Sequence, residues 1–280
     1  MNIEHIITEL EQQDPELHDR MSSRRSAISG LAGIGGKLAL AAIPFALGSL
    51  FKKAYGQSTT GIVQVLQFAL TLEYLEAEFY TLGAAAPGLV PAGPPTGAIA
   101  TIRDHENAHV SLLKTTIISL GATPVPKPTF DFSAGDGSGN GPFKGVFSNY
   151  PLFLAVAQTF EDTGVRAYKG QAGELIASND VLTAALKIHS VEARHAAHIR
   201  YMRRNLTAND TIKPWITGKD TGGIGAAVQA SYNGEEVSAQ AGINIVGING
   251  TGVGMNAATE AFDEPLSKQA VLDIVAPFIV

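Results

Sequence analysis

The sequence predicts an all-α fold: a four-helix bundle with a long crossover between helices two and three, followed by a glycine-rich tail that ends in a helix. Three observations carry this. Four long stretches place apolar residues at helical spacing, about 58–83, 96–120, 149–177 and one running from Ser178-Asn179-Asp180 to near Leu206. Between the second and third, residues 121–147 hold six glycines and four prolines and show no helical period. A doubled motif then ties the halves together: Glu73, Tyr80 and Glu106-Asn-Ala-His109 are answered by Glu161, Tyr168 and Glu192-Ala-Arg-His195.

The chain before the first helix reads as an address label. Ser23-Arg24-Arg25-Ser26 precedes a Gly-, Ala- and Leu-rich stretch, and Ala54 and Gly56 offer small residues for a signal peptidase. Paired arginines before a mildly apolar region resemble a twin-arginine leader, so residues 1–56 are expected to be an export signal. A membrane anchor is the alternative, but Lys37 leaves charge-free blocks of only 11 and 14 residues on its two sides. The expected location is periplasmic or otherwise exported, with the membrane met only through the leader.

The first two helices are joined by a loop rich in proline, with Pro87, Pro91, Pro94 and Pro95. Gly121 is the expected C-terminal cap of helix two, and Pro124, Pro126 and Pro128 block its continuation. The long connection after it has a physical purpose, because helices two and three can run parallel only if the chain is carried back along the bundle. Ser178-Asn179-Asp180 makes a short turn with good capping residues, so helices three and four should be antiparallel neighbours. The bundle is thus assigned to 57–206. The tail, 207–280, should pack on it without chemistry of its own. There Ile243, Ile245 and Asn249-Gly250 suggest short strands and a turn, and Pro265 and Ser267 introduce a last helix with Val271, Ile274, Val275 and Phe278 on one side.

Composition narrows the functions. The net charge of −6 and the lack of a basic stripe past the leader argue against nucleic acid. With no cysteine, disulfides, thiol catalysis and thiolate metal sites are excluded. What remains is the doubled motif. Ile62, Leu66, Ala69, Leu70, Glu73, Ala77 and Tyr80 share one helical face, and Glu73 is its only charge. Glu106 and His109 lie in the stripe of Ile99, Ile102, Leu113 and Ile117. Glu161 and Tyr168 lie in that of Leu154, Ala157 and Val165, and Glu192 and His195 in that of Val181, Ala185, Ile188 and Ile199.

Four carboxylates buried face to face are untenable unless something neutralises them, and burying one alone costs several kcal/mol. Two divalent cations balance four negative charges, and one Glu from each of two helices plus a Glu-x-x-His from each of the other two is a dinuclear carboxylate pattern. Glu73, Glu106, His109, Glu161, Glu192 and His195 are therefore the expected ligands of two iron or manganese ions. Tyr80, Tyr168 and His189 are expected to support the ligands by hydrogen bonds. Glu76, about 60° round the helix from Glu73, is an optional extra ligand, while Glu78, His105 and His198 should turn away. The competing reading is a set of buried salt bridges to Arg103 and Arg194.

Leu72-Glu-Tyr-Leu-Glu-Ala-Glu-Phe-Tyr80, Glu106-Asn-Ala-His109, Glu161-Asp-Thr-Gly-Val-Arg-Ala-Tyr168 and Val191-Glu-Ala-Arg-His195 resemble the exported bacterial ferritin-like domain family, which includes the plant desiccation-related proteins. The resemblance implies a ferritin-like bundle over about 58–206, a C-terminal tail like that of 261–266, and Glu73 rather than Glu76 as ligand. The resemblance bears on fold and ligands more than on the reaction; from the ligand set, the leading expectation is a redox protein acting on dioxygen or peroxide under oxidative or desiccation stress. Alternatives are a non-catalytic stress scaffold with a structural or vestigial metal site, and a manganese catalase. A homodimer is compatible with all three.

Overall fold

The computed structural model describes residues 59–250 and 252–280, so the expected leader lies outside the described residues. Four long helices dominate: α1 (Thr59–Ala85), α2 (Pro94–Ser119), α3 (Tyr150–Ala172) and α4 (Asn179–Thr207). Two short helices follow in the tail, α5 (Met255–Glu260) and α6 (Lys268–Val275). No helix among the described residues is long and apolar enough to cross a membrane.

Local chemistry sets the boundaries. Pro94 and Pro95, expected in the loop, instead open α2, where a residue without an N–H costs no helical hydrogen bond. The helix ends as anticipated at Gly121, in the left-handed region at φ 80°. Gly121 N–H bonds Ile118 O (2.9 Å) and Ala122 N–H bonds Ile117 O (3.1 Å), a Schellman closure. Asn149 caps α3 by accepting from Leu152 N–H at 3.1 Å. That helix is shorter than expected, tightening after Ala172 into a 3-10 turn, Gly173–Leu175.

The crossover does what its length predicts. Gln67 near the start of α1 donates to Thr123 O and accepts from Val125 N–H, both at 2.7 Å. Further along the same helix, Glu78 pairs with Lys127. The crossover therefore runs alongside α1 in the same direction. Since α1 and α2 pack as an antiparallel pair, α3 must start at the end where α2 started. Helices α2 and α3 are then parallel, α1 and α3 antiparallel, and α3 and α4 antiparallel.

The interior is apolar, with Phe79 stacked on Phe153 (centroids 4.7 Å apart, planes at 8°) and edge-on to Phe160. The tail covers α3 and α4 and is held by buried ions. Arg166 of α3 meets Glu235 at 2.6 Å and donates to the carbonyls of Ser231, Asn233 and Glu264. Arg200 of α4 grips Asp162 with two hydrogen bonds (3.0 and 2.6 Å), and Tyr232 of the tail donates to the same carboxylate at 2.8 Å. A methyl on Gly170 would sit 2.0 Å from Leu266 O, so only glycine lets the tail approach α3 so closely.

The strands are shifted from expectation. Ala239–Gln240 pairs antiparallel with Ile243–Asn244, and the turn is Ala241-Gly242, both at positive φ. Asn249-Gly250 falls instead in a 3-10 turn, Ile248–Gly250. The last helix matches its expectation: Ser267 caps it, and Val271, Val275 and Phe278 are buried. Phe130 bridges to Ile279, and Val280 N–H bonds Thr129 O at 2.9 Å, so the tail closes on the crossover.

Candidate metal centre

All six expected ligands come together at mid-height in the bundle. Glu73, Glu106, Glu161 and Glu192 have no exposed surface, and His109 and His195 are nearly as buried. Their donor atoms form two sets of four, each within 4.8 Å: Glu73, Glu106, His109 and Glu192 in one, Glu106, Glu161, Glu192 and His195 in the other. Glu106 and Glu192 belong to both.

The antiparallel geometry explains the convergence. Tyr80 of α1 donates to Glu161 of α3 at 2.5 Å, and Tyr168 of α3 donates to Glu73 of α1. As one index rises by seven the other falls by seven, so a Glu and a Tyr seven apart on each helix pair crosswise. Each tyrosine thus serves the opposite helix's glutamate. The other two helices repeat the device. His195 Nδ1 lies 2.8 Å from Glu106 Oε1, and His109 Nδ1 lies 3.0 Å from Glu192 Oε1.

These contacts are not a network of satisfied hydrogen bonds. His109 Nδ1 faces three carboxylate oxygens at once, of Glu73 (3.2 Å), Glu106 (3.2 Å) and Glu192 (3.0 Å), yet one ring nitrogen carries at most one proton. Glu106 Oε1, Glu161 Oε2, both Glu192 oxygens and His195 Nδ1 are fully buried without a hydrogen-bonding partner among the described residues. Native interiors rarely tolerate so many orphaned groups in one place, and atoms aimed at a common point fit a cation there. Oxygen-rich sets with one imidazole each suit iron or manganese chemistry. The buried Glu/His group is able to hold metal ions.

The electrostatics say the same. Burial pushes the Glu73 carboxyl up to about 8, against the pull of His109. Burial likewise holds Glu161 well above the carboxylate range despite His195. For the imidazoles burial opposes charge, but it is outweighed. The charge of Glu161, with the carboxylates of Glu106 and Glu192 close by, drives His195 to about 12, and Glu73 leads the same effect on His109. Glu192 is the converse: burial would raise it, yet the close imidazoles of His109 and His195 hold it below the usual value. Two imidazolium charges cannot neutralise four acids, so the remaining acids favour their protonated forms. Metal cations would displace those protons.

The surrounding residues divide differently from expectation. His189 does not reach a ligand; its Nδ1 lies 3.0 Å from Val165 O. His105, expected to turn away, instead stacks on His195 (5.2 Å between rings) with its Nδ1 2.9 Å from His195 Nε2. A His195 Nε2–H donated to His105 leaves Nδ1 as the lone-pair nitrogen facing the carboxylates. Helical angle on α2 alone hides this contact, because the partner sits on α4. The salt-bridge alternative finds no support: Arg103 pairs with Asp104 at the surface, and Arg194 lines an open groove. That groove, ≈ 750 Å³, is bordered by Ile102, Tyr150, His198, Tyr201 and Met202 and reaches His195. Glu76 is also buried near the centre. Desolvation, then the charges of Glu192, Glu106, Glu161 and Glu73, keeps its carboxyl well above the ordinary range.

Comparison with curated proteins returned no match. A model of the ferritin-like domain matches residues 61–205, more than half of the 280 residues and nearly the whole of the four-helix bundle. With that match over a bundle that gathers paired Glu and Glu-x-x-His residues at its centre, the chain belongs to the ferritin-like domain family.

Proposed function

We propose that the chain is an exported dinuclear metal protein, loaded with iron or manganese and redox-active toward dioxygen or peroxide in oxidative or desiccation stress. The observation that carries the reading is the division of six buried donors into two sets sharing Glu106 and Glu192. Glu73 and His109 complete one set, Glu161 and His195 the other. Export is supported by the Ser23-Arg24-Arg25-Ser26 leader pattern.

A bound iron or manganese pair would supply redox equivalents to dioxygen or peroxide. The chain's own groups do the rest. Four carboxylates neutralise two divalent charges in an apolar interior, where an unbalanced charge would cost several kcal/mol. Tyr80 and Tyr168 fix the orientations of Glu161 and Glu73, and His105 fixes the ring of His195. The groove beside His195 gives a small oxidant a way in, while the apolar stripes above and below exclude bulk water.

The test is metal analysis of protein loaded with iron or manganese, followed by oxidase, peroxidase and catalase assays. Two metals per chain with turnover supports the proposal, and vigorous oxygen release from peroxide would assign it to the manganese catalase type. Two metals without turnover would leave a structural site in a stress scaffold. Failure to retain metal would overturn the reading.

A further inference from the structure

One position breaks the doubled pattern. Three residues after Glu73 on α1 stands Glu76, whereas three residues after Glu161 on α3 stands Gly164. The two face each other. A methyl built on Gly164 would lie 3.2 Å from Glu76 Oε1 and 3.9 Å from Cγ of Glu192. The glycine therefore leaves open the space that a fifth carboxylate occupies next to a shared ligand. Glu76 is 4% exposed, and among the described residues no donor hydrogen-bonds its carboxylate and no cation pairs with it. Glu76 and Gly164 also border a small cavity, closed by Leu72, Phe160, Thr163 and Val275, with room for about one water.

A buried acid with no partner is costly unless it has an occasional one. Four ligand carboxylates balance two divalent ions. A pair carrying one more positive charge, as when one ion is trivalent, lacks a counter-charge, and Glu76 is the unpartnered carboxylate beside it. Resting on the dinuclear reading above, we propose that Glu76 is a fifth, exchangeable ligand of the metal pair, recruited when the pair carries more than four positive charges and withdrawn toward the small cavity when it does not. Gly164 is the residue that keeps the two positions open to it.

The experiment compares wild type, Glu76→Gln and Gly164→Ala by chelator competition, with Zn²⁺ and Ga³⁺ as redox-inert divalent and trivalent probes. Glutamine keeps the shape of the side chain, and alanine on Gly164 crowds Oε1 without touching any ligand's charge. Two zinc ions per chain should bind to all three proteins with affinities within about twofold, while Ga³⁺ affinity falls on the order of tenfold or more in both variants. Equal losses for both metals, or none for either, would overturn the role of Glu76. Failure of the wild-type protein to bind zinc would instead overturn the dinuclear reading, and this inference with it.

Discussion

Tyr80 on α1 donates a 2.5 Å hydrogen bond to Glu161 on α3, and neither side chain has any exposed surface. Its counterpart, Tyr168 to Glu73, is the same contact turned through the bundle's internal twofold. Burial and the facing carboxylate hold both phenols well above their usual pKa, so they remain donors at any physiological pH. Tyr80→Phe should therefore release Glu161 and weaken metal binding by about 10- to 100-fold. Tyr168→Phe should act similarly through Glu73. Zinc competition titration measures both, and an unchanged affinity would show that the hydrogen bonds do not orient ligands.

The ligand sets are unequal in a way that metal stoichiometry can read. Glu161 belongs to one set only, Glu73 to the other, and Glu192 to both. Glu161→Ala or Glu73→Ala should each leave about one tightly held ion per chain, whereas Glu192→Ala should leave none, as measured by elemental analysis after dialysis. Loss of both ions from every variant would mean the sets do not act separately.

The pH dependence has a defined sign. Glu73 rises from 4.5 to about 8 on folding and His195 from 6.5 to about 12, with Glu161 and His109 moving the same way. Each holds its proton more tightly when folded. Their contribution to stability is complete below the unfolded values and is lost as pH rises, for Glu73 between 4.5 and about 8. Glu192, held low, contributes above 4.5 and loses its share below it. Chelator-treated protein should thus melt at lower temperature at about pH 8 than at about pH 5. Zinc replaces the same protons, so its stabilising increment should grow over that interval. Calorimetry with and without zinc at the two pH values decides, and a chelated protein that gains stability toward pH 8 contradicts the assignment.

The tail is testable apart from the metals. Arg166 and Glu235 are both almost completely buried, so Glu235→Ala strands a guanidinium and should cost about 3–5 kcal/mol. Urea unfolding would show it. A loss within a few tenths of a kcal/mol would mean the carbonyls of Ser231, Asn233 and Glu264 satisfy Arg166 unaided.

Much of this was legible from residue order because a metal ligand inside a helical core is an anomaly in a simple pattern. Glu73, Glu106, Glu161 and Glu192 stand out as single charges mid-stripe, and the crossover stands out as a long segment without a period. His105 was not legible, since the helical angle describes one helix and its contact is with another. The same blindness hid Gln158, Asp162, Arg200 and Arg203. Their partners lie on the other helix or in the tail: Arg200 meets Asp162, Gln158 and Asp162 meet Tyr232, and Arg203 donates to Gly222 O. The hairpin was displaced because Ala241, a residue rarely found at positive φ, takes the turn position that Asn249-Gly250 advertises.

The bridge between Phe130 and Ile279 spans most of the described chain. During synthesis the four helices can emerge and gather their acids well before the strap over the crossover can be tied. A nascent chain therefore passes through a stage with its ligands assembled and its closing seam open, and contacts so distant in sequence form late. The short seam of Thr129 and Phe130 against Ile279 and Val280 is thus the last part of the described structure to close.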